Sequence, residues 1–99
     1  MVKKRLSPQQ QWERQLVADY YDARHRELLD PLYEQFERWK AGELSHEDID
    51  EAIHKVHREN QKLFSFFTGR HDLLAFTIQH QDENWFEKWV VDHPPPTEM

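Results

Sequence analysis

Apolar residues recur along this chain at steps of three and four, and the clearest such run is Ser45–Gly69. Within it Ile49, Ile53, Val56, Leu63 and Phe67 fall on one stripe of a helix. Ser45 and Asp48 form a capping-box pattern at its start. Glu47, Asp48, Asp50 and Glu51 fill the first turn, where carboxylates complement the positive end of the helix dipole. Gly69 is expected to close the helix in the left-handed conformation. Asn60 lies on the same stripe, between Val56 and Leu63. A polar residue there either specifies register or oligomeric state, or fills a gap with a hydrogen bond to backbone.

Upstream, Ser7 and Pro8 read as an N-cap followed by proline in the first turn. The helical pattern continues to Ala41 through Trp12, Leu16, Val17, Tyr20, Tyr21, Leu28, Leu29, Leu32, Phe36 and Trp39. Its repeat is nearer eleven residues than seven, as in Val17–Leu28–Trp39, which favours a nearly straight path. Pro31 interrupts it at a cost of about 3 kcal/mol in a helix interior, so a kink or break at Asp30–Pro31 is expected, with one kinked element favoured. Gly42 marks the stop, and the short connection to Ser45 makes the two helices antiparallel. Leu44 is placed as a hydrophobic staple onto the second of them.

Downstream, Leu73, Leu74, Phe76 and Ile78 are separated from Trp85, Phe86, Trp89 and Val90 by the polar run 79–84. One helix or two would fit, and Asp82 could cap the second piece. Pro94, Pro95 and Pro96 stop any helix. The expectation is a single all-α domain over 1–99. It has a frayed basic tail at 1–6, a first helix at 8–41, a second at 45–68, a helical segment at 72–92 and a disordered tail at 93–99. The two long helices form an antiparallel hairpin, the C-terminal segment packs across it, and a dimer completes a helical bundle.

Composition narrows the function. With 37% apolar and 32% charged residues, buried surface has to be concentrated, and 13% of the residues are aromatic. Two glycines leave no glycine-rich phosphate loop, and the absence of cysteine removes disulfides, thiolate nucleophiles and sulfur-ligated zinc. No apolar run approaches the roughly 20 residues that span a bilayer, and nothing resembles a signal peptide, so a cytoplasmic location is expected. A net charge of −6 argues against nucleic acid as partner, the basic cluster Lys3, Lys4 and Arg5 notwithstanding.

Seven histidines are the compositional oddity. Glu51 and His54 have the carboxylate–histidine spacing of di-iron bundles, but at about 100° per residue both point away from the apolar stripe. His57 flanks that stripe next to Asp50, His54 and Gln61, and antiparallel pairing brings His25 and Asp22 near them. His25, Asp50, His54 and His57 are therefore the candidate metal ligands. Leu16, Tyr20 and Tyr21 with Trp85, Phe86 and Trp89 are the candidate interface, because the first helix is apolar over more surface than one partner helix covers. No serine sits in a nucleophile elbow, and His46-Glu47 lacks the second histidine of a helical metalloprotease. No enzyme activity and no cofactor are expected. The preferred reading is an interaction protein, an adaptor, accessory subunit or regulator that pairs as a homodimer and has room for another protein partner. The alternative is a helical bundle that binds a metal or small ligand through the histidines.

Overall fold

In the computed structural model, which describes residues 5–97, the chain forms four helices and no strand among the described residues. These are α1 (Pro8–Lys40), α2 (His46–Phe66), α3 (His71–Gln81) and α4 (Glu83–Asp92). Of the tails expected at either end, residues 1–4 and 98–99, including Lys3 and Lys4, lie outside the described residues. None of the helices is long and apolar enough to cross a membrane, among the described residues.

Each of three helix starts is secured by side chains that the sequence places there. At α1, Ser7 Oγ accepts from the Gln10 amide at 3.1 Å, while Gln10 Oε1 accepts from the Ser7 amide at 2.9 Å. At α2, Ser45 and Asp48 exchange the corresponding pair of bonds. At α4, the Asp82 carboxylate accepts from the Trp85 amide, which splits the C-terminal segment in two. α1 runs unbroken through Pro31, so of the two outcomes expected there the continuous element is the one adopted.

Helix ends differ from expectation at one glycine. Gly42 has φ +80°, and the Gly42 and Glu43 amides bond back to the carbonyls of Trp39 and Arg38, the reciprocal pair that closes a helix through a left-handed residue. Gly69 does not adopt that conformation. α2 instead tightens at its end: the Phe67 amide reaches Leu63 and Phe64 carbonyls, and the Thr68 hydroxyl donates to the Ser65 carbonyl at 2.7 Å. With the terminal carbonyls already satisfied, a left-handed residue is not required.

The described residues gather into two compact units that share α1. One consists of the residues up to Tyr20 and from Gly69 onward. Its core is Leu16, Val17, Leu74, Ala75, Ile78 and Trp89. The C-terminal helices meet the first part of α1, where Trp12 contacts Phe86 and Trp89 and Tyr20 contacts Trp85. The other unit is Tyr21–Thr68. In it α2 returns along α1, with Trp39 beside His46 near the turn and Tyr21 edge-on to Phe67 at the far end. Only Ile49 and Ala52 are buried there; Leu28, Leu32, Val56 and Leu63 are half-buried.

Gly42→Ala should lower stability by about 1 kcal/mol, because alanine resists the left-handed region. Gly69→Ala should be neutral or stabilising by up to about 0.5 kcal/mol, since a Cβ there meets Leu74 only at 3.8 Å. Urea titration followed by circular dichroism ranks the two.

Candidate interaction surface

The four candidate metal ligands are not gathered. Asp50, His54 and His57 are exposed on α2, and the half-buried His25 packs its ring edge-on against Tyr21 at 4.5 Å. No three histidine or carboxylate side chains are placed to hold a metal ion, among the described residues. The adjacent Asp22 is engaged with Arg26 at 3.0 Å, and this hydrogen bond is the main reason the Arg26 pKa lies above its ordinary value. Asn60 Oδ1 is buried without a hydrogen-bond partner among the described residues, so the backbone bond considered for it is not formed.

The candidate interface residues are largely spent inside the chain. Leu16 is 0% exposed and Trp89 only 8%. Trp89 Nε1 donates to Asp19 Oδ2 at 2.8 Å, Trp12 Nε1 to the His93 carbonyl at 2.8 Å, and Tyr20 Oη to Asp82 Oδ2 at 3.0 Å. Trp85 and Phe86 are half-buried and pack in the same cluster, Trp85 against Tyr20 and Trp89, Phe86 against Trp12 and Trp89. The indole and phenol groups thus tie the C-terminal helices to α1 through carboxylates and a carbonyl, each aromatic ring burying its body and satisfying its polar end. Tyr21, the sixth residue, is half-buried against Phe67.

Exposed apolar surface lies elsewhere. On α1, Leu29, Tyr33 and Phe36 are exposed at spacings of four and three, which puts them on one face. On α2, Ile53 and Phe64 are exposed eleven residues apart, again on one face. At about 100° per residue, both sets are displaced in the same rotational sense from the line where α1 and α2 meet. Because the helices are antiparallel, equal senses of displacement fall on the same side, so the five residues form one strip along one side of the hairpin. Tyr33 is 66% exposed and Phe64 60%. Exposed His57 lies in the strip, and exposed Asp50, His54 and Gln61 edge it.

The opposite side of the hairpin is of another character. It carries Arg24, Glu27, Glu34 and Arg38 from α1 and Asp48, Lys55, Glu59 and Lys62 from α2, all exposed. Ion pairs Arg24–Glu27, Arg38–Glu43 and Lys62–Glu59 are made there, with separations of 2.8, 3.8 and 3.4 Å. The exposed large apolar residues of the hairpin thus lie on one side, bordered by charge, while the other side is charged throughout.

Open depressions also mark the surface, two of them among the described residues. One of about 500 Å³ is lined by residues that include Arg14, Arg70, His71 and Asp72, and Arg70 is already bonded to Asp72 at 2.7 Å. The other, of about 620 Å³, lies at the hairpin turn beside Trp39, Leu44 and His46, where the Trp39 indole donates to His46 Nδ1 at 3.1 Å. Ser45 also lines the second, with its Oγ taken up by the Asp48 amide at 3.1 Å. Leu29, Tyr33, Phe36, Ile53 and Phe64 were not in the interface expected from sequence; their signal is the 29–33–36 spacing joined to an exposed face of α2. No family model matches the chain, nor does any curated protein or solved structure.

Leu16→Ala should cost about 3 kcal/mol, since a fully buried leucine leaves a cavity. Tyr33→Gln should change the stability of the single chain by less than about 1 kcal/mol. Thermal and chemical denaturation in dilute solution separate a core residue from a surface one.

Proposed function

We propose that this protein works by binding protein surfaces, as an adaptor, accessory subunit or regulator, with no turnover of its own. The observation that carries this reading is the unpartnered apolar strip on an otherwise heavily charged chain. Five large apolar side chains exposed together leave on the order of 500 Å² of apolar surface, at the upper end of what a monomer commonly shows in one patch. A specific interface needs roughly 800 Å² per partner, so an interface built on the strip would also draw in its polar border. A second copy is the occupant that covers the strip most economically, because a two-fold axis buries the same surface on both chains at once.

Light scattering coupled to size-exclusion chromatography of the tag-free protein tests this. The dimer mass is expected at about 50 μM, and Tyr33→Asp should give the monomer mass with unchanged helix content, because a charge is then desolvated in the interface. A wild-type chain that stays monomeric at several hundred micromolar would overturn self-association through the strip.

A further inference from the structure

Self-association through the strip has a register that the charges of α1 specify, and this register rests on the self-association reading. Along the strip side of α1 and its outer border the exposed residues are Asp22, Arg26, Leu29, Asp30, Tyr33, Phe36, Glu37 and Lys40. About a centre at position 31, acidic Asp22 mirrors basic Lys40 and apolar Leu29 mirrors apolar Tyr33, while basic Arg26 falls level with Phe36 and within one position of acidic Glu37. Neither Glu37 nor Lys40 has an ion-pair partner of its own among the described residues, whereas Asp22 and Arg26 are already joined.

We infer that α1 of one copy packs antiparallel on α1 of a second, across a two-fold axis between Leu29 and Tyr33. In that register Asp22 faces Lys40 of the second copy, Arg26 comes within one position of Glu37, and Leu29 faces Tyr33. Each contact occurs twice by symmetry. The pre-formed Asp22–Arg26 pair then extends at both ends into an alternating network, acid and base in turn, along the border of the apolar strip. Opposite charges across an interface fix register and exclude wrong pairings more than they add affinity.

Competing arrangements bring like charges together. A parallel α1 pair sets every charged residue against its own copy. The other two-fold arrangement lays α1 over α2 of the second copy, and the antiparallel match seen at Trp39–His46 and Tyr21–Phe67 then brings Glu37 to the level of Asp50. It also places Asp22 over Phe64. Only the α1–α1 antiparallel register sets Asp22, Arg26, Glu37 and Lys40 each against an opposite charge.

Charge reversal and cross-linking decide it together. By sedimentation equilibrium, Arg26→Glu alone and Glu37→Lys alone should each weaken the dimer about tenfold, since each creates two like-charge contacts. The combined variant should return to within about threefold of wild type, the signature of a direct contact in a double-mutant cycle. The chain has no cysteine, so introduced thiols report without background. An oxidised mixture of Leu29→Cys and Tyr33→Cys proteins should give mainly the mixed disulfide. A dimer in which the combined variant is no better than the singles, or in which each thiol variant links to itself, would overturn the register and leave the strip as the interface. A monomeric wild type would overturn the register and the strip reading alike.

Discussion

Two helices laid side by side enclose few side chains. They cover only the line between them, so most residues on that line keep a flank in water. The Tyr21–Thr68 unit follows from this constraint. Of its apolar residues only Ile49, which points straight at α1, and the small Ala52 are buried; Leu28, Leu32, Val56 and Leu63 stay half-buried. The other unit adds two short helices to the first part of α1, and there Leu16 and Ala75 reach zero exposure. Burial thus tracks the number of neighbouring helices. The hairpin's apolar residues exceed what its own contact line can use, and the surplus is the strip.

Local structure was the most readable layer of the sequence because it is fixed by neighbours a few residues away. Ser45 with Asp48, Ser7 before Pro8, Gly42 and Asp82 all act within one turn, and they end up as caps. Gly69 is the exception. A glycine after a helix is a frequent left-handed closer, but α2 tightens and Thr68 takes up a carbonyl, so the special backbone is not used. The division of α1 was harder to read. Its apolar surface is wide because two different sets of partners draw on it, Trp12, Leu16, Val17 and Tyr20 in one unit and Tyr21, Leu28, Leu32 and Trp39 in the other. Periodicity reports that a face is apolar and is silent on which neighbour covers it.

The candidate site shows the same limit from the other direction. Trp85, Phe86 and Trp89 looked like surplus aromatic surface, yet the polar end of Trp89 finds Asp19 across 70 positions of sequence, and Tyr20 finds Asp82 across 62. Such long-range partners leave no mark on local spacing. Proximity on a helical wheel put His25, Asp50, His54 and His57 in one neighbourhood, but ligation demands converging side chains, and no three are so placed among the described residues. What was readable was that the first helix is apolar over more surface than one partner helix covers, because apolar positions recur at the helical period.

The division of α1 also orders events in time. The Tyr21–Thr68 unit is one continuous stretch, and its contacts span at most a few tens of positions. The other unit joins the first part of α1 to residues from Gly69 onward, so it closes only after the whole intervening hairpin has been synthesised. Short-range contacts form quickly and long closures slowly. During synthesis Leu16 and Trp12 therefore wait for α3 and α4 while the hairpin can already assemble. The late unit is also the one a C-terminal break removes. Losing α4 and the residues after it would take away Trp89 and the main-chain carbonyl that receives the Trp12 indole, while leaving α2 and its strip in place.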